Sequence, residues 1–254
     1  MSPSLSYRLD GDGRPLVLSH ALGCSLGMWN EIAPALERIG LIVRYDTRGH
    51  GRSEVVTDAF ALADLVGDAV RLLDALGLDR VSWIGISLGG MIGQGLAIEH
   101  PERVEKLVLA NTVSRLSEEG RALWHERARV ARSDGMAALA DLIMTRYFSA
   151  EFRQSRPEVV QRFRSDVLRL DPRGYAACCE AIAALDYYPA LHDIKCPTLA
   201  IAGGTDVAAT PAMVKEIADH VPAATFTTIP DAGHLSVIER PAAFLEILKS
   251  FLDG

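Results

Sequence analysis

The chain has 254 residues, of which 49% are hydrophobic, and its formal net charge at pH 7 is -7. This length and composition are typical of one large globular domain. The negative charge argues against a surface that follows nucleic-acid phosphates, so we expect no nucleic-acid partner. No stretch approaches the roughly 20 apolar residues of a membrane span, and the first residues lack the apolar segment of a secretory leader. We therefore expect no membrane partner and a cytoplasmic location.

Short apolar runs alternate with longer segments of helical period along most of the chain. Within residues 62–76, apolar residues recur at intervals of three and four, and Gly77 follows as a helix C-cap. Apolar strands that alternate with helices are typical of a parallel sheet covered on both faces. The sequence therefore predicts an α/β fold with a mostly parallel central sheet flanked by helices. Six predicted strands carry this pattern: residues 16–20, 41–46, 81–85, 106–111, 198–203 and 225–229.

The interval 114–188 breaks this alternation, because it contains helical stretches and no convincing strand. It has twelve arginines, no lysine and eleven acidic residues, so it carries one net positive charge while the remainder carries eight negative charges. We interpret this interval as an inserted helical cap. The predicted organisation is a core made of residues 1–113 and 189–254, with the cap, residues 114–188, lying over the sheet.

The four cysteines show no pattern of a metal or disulfide site. Cys24, Cys178, Cys179 and Cys196 have neither paired CxxC spacing nor histidines at zinc-binding intervals. We expect reduced, mostly buried thiols. The chain also lacks HExxH and clustered histidine and carboxylate motifs, so we predict no metal and no other cofactor.

A serine stands between two glycines where a predicted strand meets a predicted helix. The segment reads VSWIGISLGGMIGQGLA, with Ser87 between Gly85 and Gly89. The pattern G-x-S-x-G is weak by itself, but between a strand and a helix it is typical of a nucleophile elbow. The glycines avoid collisions with the neighbouring backbone, and the turn lifts the hydroxyl above the carboxyl edge of the sheet. The alternative is a glycine-rich turn with an idle serine.

A serine hydroxyl becomes a nucleophile when a histidine takes its proton and an acid orients that histidine. Among the seven histidines, His234 lies in a loop directly after the last predicted strand, and Asp206 also follows a predicted strand. The order Ser87, Asp206, His234 is the one that serine hydrolases with an elbow use. We predict these three as catalytic residues. Asp231 is the competing acid, but its position three residues before the histidine favours a turn residue.

Hydrolysis of an ester also needs donors for the developing oxyanion, placed before the reaction begins. The backbone N–H of Leu88 is one candidate, because it directly follows the nucleophile. The other candidate is the N–H of Leu22 in the segment HALG, where Ala21 and Gly23 let the loop pass close to the serine. We interpret His20, in the same segment, as structural, bracing this loop through a side-chain hydrogen bond.

Five segments, in order, resemble the α/β-hydrolase superfamily: HALG, DTRGHGRS, GISLGG, GGTD and AGH. The run GYAACCEAIAALDYYPALHDIKCPTLAIAG, together with RYFSAEF and HPERVEKLVLANT, is more specifically similar to 3-oxoadipate enol-lactone hydrolases. The chain departs from that pattern at Leu88, where Met is expected, at His20, where Asn is expected, and at Tyr147, where Trp is expected. These departures bear on the identity of the substrate and do not bear on the fold.

The resemblance implies an α/β-hydrolase fold with a helical cap and a serine enzyme that opens 3-oxoadipate enol-lactone through an acyl-enzyme. It places the enzyme in the β-ketoadipate branch of aromatic catabolism. The partner would be a small lactone or ester, and no cofactor is implied. Because the substrate carries a carboxylate, an arginine would suit it. Our candidates for the upper wall of the pocket are Trp124, Arg127, Arg146 and Tyr147, with at least one arginine contacting the acid; the alternative for each arginine is a solvated helix face.

Three other functions fit parts of the pattern. A carboxylesterase or aryl esterase would use the same three residues beneath an apolar cap. A cofactor-free perhydrolase would also keep them. A non-catalytic ligand-binding module need not keep them, so Ser87, Asp206 and His234 together argue against it. The sequence does not predict an oligomeric state.

Overall fold

A computed structural model describes residues 3–56 and 58–254. Within these ranges seven strands form one sheet: β1 (Tyr7–Asp10), β2 (Pro15–Ser19), β3 (Leu41–Tyr45), β4 (Val81–Ile86), β5 (Val104–Ala110), β6 (Thr198–Gly203) and β7 (Ala224–Ile229). Their spatial order is β1-β3-β2-β4-β5-β6-β7. β1 runs antiparallel to β3, whereas the remaining neighbours pair in parallel. The predicted, mostly parallel α/β sheet is confirmed.

The six predicted strands agree with β2 to β7 within two residues at each end. β1 is the strand that the sequence analysis missed. Its residues, Tyr-Arg-Leu-Asp, are exposed or half-buried at the edge of the sheet. An edge strand needs no continuous apolar run, because it is paired on one side alone. Every residue of β4 and β6 is buried, and this is why their sequences are so clearly apolar.

The described residues also form eleven α-helices: α1 (Ala33–Leu36), α2 (Leu62–Ala75), α3 (Leu88–Glu99), α4 (Glu118–Asp134), α5 (Ala140–Tyr147), α6 (Ala150–Ser155), α7 (Pro157–Leu168), α8 (Pro172–Ala183), α9 (Pro211–His220), α10 (Ser236–Glu239) and α11 (Pro241–Asp253). The helix predicted from the apolar period of residues 62–76 is confirmed as α2, and Gly77 follows it with φ +66°. α3 is buried along most of its length, between α2 and strands β4 and β5. In the ranges that the structure covers, no helix is long and apolar enough to cross a membrane.

The interval 114–188 contains α4 to α8 and, as far as the structure describes it, no strand. Its two ends meet at one neck. Arg115 and Asp186 form an isolated antiparallel bridge. The N–H of Tyr187 donates to the carbonyl of Ser114 at 2.8 Å. These contacts support the division into core and cap at residues 114 and 188, and that division stays a prediction.

The four cysteines are buried and free, as the sequence analysis expected. Burial raises the pKa of the Cys178 and Cys179 thiols, which therefore stay protonated at neutral pH. A protonated, buried thiol is a poor nucleophile. The adjacent pair on α8 consequently acts as small apolar side chains in the packing of the cap.

Candidate active site

Ser87 occupies the single position between the end of β4 and the beginning of α3. Its backbone angles are φ 53° and ψ −114°, which is a strained conformation for a residue with a side chain. The N–H of Ser87 donates to the carbonyl of Ala110 at 2.9 Å, and its carbonyl accepts from Oγ1 of Thr112 at 2.8 Å. Strain of this kind costs about 1–3 kcal/mol and persists where the surroundings fix the backbone. The serine is therefore held by its neighbours in a position that it would not adopt by itself.

The glycines on both sides of this turn are required by close backbone contacts. A Cβ on Gly85 would lie 2.1 Å from the carbonyl oxygen of Gly89. A Cβ on Gly89 would lie 2.1 Å from the carbonyl oxygen of Ser19, at the end of β2. Both distances are far below a van der Waals contact. The collision that the sequence analysis expected at these two positions is confirmed.

The three predicted catalytic residues form one hydrogen-bonded chain. Nε2 of His234 lies 2.9 Å from Oγ of Ser87, and Nδ1 lies 2.8 Å from Oδ2 of Asp206. The side chains of His234 and Asp206 are 7% and 0% exposed. A histidine that donates from Nδ1 to a carboxylate keeps Nε2 free to accept the serine proton. The competing acid, Asp231, is exposed to solvent. The structure thus brings the residues together, and their catalytic roles stay a prediction.

Asp206 is held as a carboxylate by donors on both of its oxygens. Oδ1 accepts from the N–H groups of Ala208 and Ala209, at 2.7 and 3.0 Å. Oδ2 accepts from Nδ2 of Asn111 at 3.0 Å, in addition to His234. Burial alone would raise the pKa of Asp206, but His234 and the amide donors outweigh burial and hold that pKa below its usual range. The acid therefore stays ionised at neutral pH.

Asn111 was not among the site residues predicted from the sequence. A signal was available, because Asn111 directly follows β5, whose neighbours in the sheet are β4 and β6. Ser87 and Asp206 come after those two strands in the chain. Residues that follow adjacent parallel strands gather at the same edge of a sheet. A polar residue at that position was therefore a candidate for the site.

The two predicted oxyanion donors lie on backbone segments that are docked against each other. Leu88 is the first residue of α3, where an N–H has no partner within the helix. The N–H of Gly89 donates to the carbonyl of His20 at 3.1 Å, which fixes the loop after β2 beside the elbow. Across residues 3–56 and 58–254, the N–H groups of Leu22 and Leu88 make no hydrogen bond to another protein atom. Both donors are thus free for an oxyanion, and this role stays a prediction.

Two buried histidines brace the loop that carries Leu22. Nε2 of His20 accepts from the N–H of Thr47 at 2.9 Å, and Nε2 of His50 accepts from the N–H of Gly23 at 2.9 Å. An imidazole that accepts at Nε2 is neutral. Burial lowers the pKa of His20 to about 4 and that of His50 to about 3. The bracing role expected for His20 is confirmed. The role of His50 was missed, although this residue is part of the DTRGHGRS segment.

Tyr147 joins the cap to the loops of the core. Its hydroxyl donates to the carbonyl of Leu22. Its ring centroid lies 5.9 Å from that of His234, with an interplanar angle of 30°. Its carbonyl accepts from the N–H of Leu235 at 3.0 Å. Tyr147 was predicted as a substrate contact; its hydroxyl is already bonded within the protein, and a contact between its ring and the substrate stays a prediction.

Arg127 and Trp124 lie together on α4, as their spacing predicted. The guanidinium carbon of Arg127 lies 4.4 Å from the ring centroid of Trp124. One terminal nitrogen donates to the hydroxyl of Tyr175 on α8. Nε of Arg127 is buried and has no hydrogen-bond partner in the described part of the chain. This guanidinium therefore keeps an unused donor inside the protein.

Arg146 lies on α5, one residue before Tyr147, and is half-buried. Burial and the nearby charge of Arg127 lower its pKa, while Asp206 acts in the opposite direction. No carboxylate in the described ranges forms an ion pair with either arginine. Arg146 also borders a cavity of about 370 Å³ whose wall includes Thr205 and Gly233, which directly precede Asp206 and His234. Arg146 thus has a neighbouring charge of the same sign and access to a cavity beside the site.

The described residues hold no group of three or more His, Cys, Asp or Glu side chains arranged to bind a metal ion. The polar groups at the site are instead one hydroxyl, one imidazole, one carboxylate and backbone donors. This set is suited to acyl transfer by a serine nucleophile. That the reaction uses no cofactor stays a prediction.

A nucleophile elbow on a mostly parallel sheet, with a histidine and an acid on neighbouring loops, defines the class of α/β hydrolases. The family model described as "alpha/beta hydrolase fold" matches residues 14–241. The chain belongs to this family.

Several proteins similar to this chain have names that state an activity. The 3-oxoadipate enol-lactonase 2 of Acinetobacter baylyi is 35% identical over 251 residues, which cover 98% of this chain and 93% of that protein. The crystal structure of the enol-lactonase from Burkholderia xenovorans LB400 superimposes with a TM-score of 0.96 at 39% identity, covering 99% of this chain and 97% of that one. A thermophilic esterase from Thermogutta terrifontis gives a TM-score of 0.94 at 27% identity, covering 99% and 93%.

Proposed function

We propose that this α/β hydrolase is a serine enzyme that opens 3-oxoadipate enol-lactone to 3-oxoadipate through an acyl-enzyme. The observation that carries the proposal is the hydrogen-bonded chain from Oγ of Ser87 through His234 to Asp206. The similarity to enol-lactonases over almost the whole chain supports the substrate. Two cap arginines without carboxylate partners in the described residues support an acidic substrate.

Acylation begins when Oγ of Ser87 attacks the lactone carbonyl carbon and His234 takes the hydroxyl proton. The carbonyl oxygen becomes negative and is bound by the N–H groups of Leu22 and Leu88. When the tetrahedral intermediate collapses, the ring C–O bond breaks and the acyl group stays on the serine. The leaving oxygen departs as an enolate, and the proton that His234 took from Ser87 passes to the enolate carbon, directly or through water. The product is then a ketone, and His234 is neutral again for the next step. Because an enolate is a stabilised anion, ring opening needs little help from an acid.

Deacylation uses the same groups with water as the nucleophile. His234 takes a proton from water while the oxygen attacks the acyl carbon. The second tetrahedral intermediate uses the same two backbone donors. Its collapse returns the proton to Oγ of Ser87 and releases 3-oxoadipate. Asp206 keeps its charge throughout and stabilises the imidazolium that forms in both steps.

Recognition of the free carboxylate is assigned to Arg127 and Arg146. A bound anion would reduce the electrostatic repulsion between the two guanidinium groups. It would also accept a hydrogen bond from the unused Nε of Arg127. A guanidinium fork matches a carboxylate better than a lysine ammonium does. The chain as a whole is acidic, so a local pair of cations is needed to hold an anionic substrate.

The first test compares turnover of 3-oxoadipate enol-lactone with that of p-nitrophenyl acetate, which carries no carboxylate. We expect kcat/KM for the lactone to be larger by about 100-fold or more, since a site with two cations placed for the substrate carboxylate discriminates against a ligand that lacks this anion. Ser87→Ala should abolish both activities. An equal or better rate on the acetate ester would favour the carboxylesterase alternative, which the similarity to the Thermogutta terrifontis esterase also supports. Peroxide-dependent halide oxidation in acetate buffer would favour a perhydrolase.

The second test asks whether the arginines bind the carboxylate. Arg127→Gln and Arg146→Gln should each raise KM for the lactone by about 10- to 100-fold, the value of a charge-assisted hydrogen bond. The rate on p-nitrophenyl acetate should change little. Arg162→Gln is the matched control, because Arg162 is an exposed cap arginine that packs against Phe163. If both site variants left KM for the lactone at the value of the control, the carboxylate assignment would be wrong.

A further inference from the structure

Asn111 connects the loop of the acid to the loop of the histidine from a third position at the sheet edge. Its Nδ2 donates to Oδ2 of Asp206 at 3.0 Å and to the carbonyl of Gly233 at 3.2 Å. Gly233 directly precedes His234, and the Asn111 side chain is fully buried. We propose that Asn111 is a positioning residue that fixes Asp206 relative to His234; the inference rests on the proposed hydrolysis at this site.

The orientation of the amide is determined by its three partners. Oδ1 of Asn111 accepts from Oγ of Ser236 at 2.6 Å. Nδ2 faces a carboxylate and a backbone carbonyl, which are both acceptors. A reversed amide would direct an oxygen at those two acceptors and leave the hydroxyl of Ser236 facing an NH₂ group. The hydrogen-bond network therefore selects one orientation of the amide.

The backbone of Asn111 has a positive φ, as that of Ser87 does. Its φ is +46°, and in the described ranges Ser87 and Asn111 are the two non-glycine residues with positive φ. The N–H of Asn111 donates to the carbonyl of Ile201 in β6 at 2.8 Å, which holds this conformation. Asparagine tolerates the left-handed region better than most residues do. The hydrogen bond to β6 therefore fixes the backbone from which the amide reaches Asp206 and Gly233.

An amide suits this position better than a charged or an apolar side chain. A neutral donor stabilises the Asp206 carboxylate without cancelling the negative charge that the imidazolium of His234 requires. A cation would compete with His234 for the same oxygen. An apolar side chain would leave Oδ2 with one donor, and the carboxylate could rotate away from Nδ1. Asn111 thus acts on the reaction through Asp206 and makes no contact with the reacting atoms.

The experiment replaces Asn111 by the near-isosteric, uncharged leucine. Gln94→Leu is the matched control, because Gln94 is also a fully buried amide and donates to backbone carbonyls on α3 and after β5. Two measurements are made: the kinetics with p-nitrophenyl acetate, which give kcat and KM, and the NMR spectrum, which gives the downfield proton resonance of His234 Nδ1–H. In Asn111→Leu, kcat should fall by about 100-fold with KM almost unchanged, because a displacement of about 1 Å costs this much. The resonance should disappear. Gln94→Leu should lower Tm while retaining the kinetics and the resonance.

Ser236→Ala provides a second, milder variant, since Ser236 contacts the amide oxygen. It should broaden the His234 resonance and lower kcat by up to about tenfold. In the Asn111→Leu background it should have no additional effect. If Asn111→Leu does not fold, an unchanged resonance and rate in Ser236→Ala overturn the proposal.

The two proposals fail in different ways. If wild-type protein turns over neither the lactone nor the ester, the proposed function is wrong, while the resonance still reports whether Asn111 positions the acid. If Asn111→Leu keeps the resonance and a kcat within about twofold of the wild type, Asn111 is structural, and the proposed function is unaffected.

Discussion

The loops at the carboxyl edge of the sheet and the helical cap differ in how their polar groups are satisfied. At the sheet edge, the Asp206 carboxylate is 0% exposed and the amide and imidazole that bind it are buried as well. In the cap, a representative ion pair, Arg129 with Glu126, has side chains that are 61% and 56% exposed. Exposed pairs of this kind contribute little to stability. The sheet edge therefore has a fixed geometry, whereas the cap presents charges to solvent or to a ligand.

This difference indicates that the sheet edge and the cap have different roles. Buried, fully bonded groups hold reacting atoms in place, which is what acyl transfer needs. Binding of an anion would lower the electrostatic free energy of cap arginines that have no carboxylate partner in the described residues. We therefore expect variants at the sheet edge to lower kcat and variants of cap arginines to raise KM. Tyr147 belongs to the cap by sequence, but its contacts are with Leu22 and His234, on loops of the core.

The largest expected effect concerns the buried site at the sheet edge. Ser87→Ala should lower kcat by at least about 1,000-fold on every substrate, because no other group at the site supplies the nucleophile. Ser82→Ala, at a buried serine of β4, the strand that precedes Ser87, is the control and should retain activity. A residual activity above about 1% in Ser87→Ala would place the nucleophile elsewhere.

The next effect concerns acid pH and the two histidines that brace the loop carrying Leu22, which is the predicted oxyanion loop. The pKa of each is lowered in the folded state, from 6.5 to about 4 for His20 and to about 3 for His50. Protonation therefore favours the unfolded chain, so this stability is present above pH 6.5 and is lost as pH falls toward 4. The free energy of unfolding should fall by a few kcal/mol, on the order of 3 kcal/mol for each histidine.

Urea titrations from pH 7 to pH 4 measure this loss. His50→Gln should flatten the dependence, because its amide oxygen accepts from the N–H of Gly23 without titrating. His192→Gln removes a histidine whose side chain is 71% exposed and should leave the slope unchanged. Parallel slopes in wild type and His50→Gln would show that this histidine does not determine acid stability.

A smaller effect tests whether Tyr147 belongs with the residues that hold the geometry of the sheet edge. Tyr147→Phe removes the hydrogen bond to the carbonyl of Leu22 and keeps the ring beside His234. We expect kcat to fall about tenfold with little change in KM, because the oxyanion loop loses one contact. Tyr188→Phe is the control, at a hydroxyl that bonds to His220 away from the site. A rise in KM alone would make Tyr147 a substrate contact of the kind first predicted.

The smallest effect concerns the attachment of the cap beside His234. Oγ of Ser149 donates to Glu239 at 2.7 Å, and its N–H donates to the same carboxylate at 2.8 Å. Ser149→Ala keeps the second bond, so stability should fall by about 1 kcal/mol and kcat/KM by less than about threefold. Ser155→Ala, at an exposed serine of α6, should change neither quantity. A tenfold loss of kcat in Ser149→Ala would mean that the cap takes part in positioning the base.

Much of this protein follows from local sequence. The strands β4 and β6 were predicted because both faces of these strands are buried, which requires unbroken apolar runs. The elbow was predicted because close backbone contacts permit glycine alone at Gly85 and Gly89. His234 and Asp206 were predicted from their places after strands, since parallel strands bring such residues to one edge.

The remaining features depend on contacts between distant parts of the chain. Asn111, His50 and Tyr147 serve the site through partners 95, 27 and 125 residues away. Their places in the sequence marked them as candidates, with Asn111 after β5, His50 in DTRGHGRS and Tyr147 in RYFSAEF, but the partners that define their roles are distant in the chain. β1 was missed for a similar reason, because its pairing with β3 defines it and its own residues are exposed. Periodicity and glycine placement are local properties of the sequence, and they determined the fold and the three central residues. The tertiary structure decided how those residues are held, because a hydrogen bond forms where two groups meet in space.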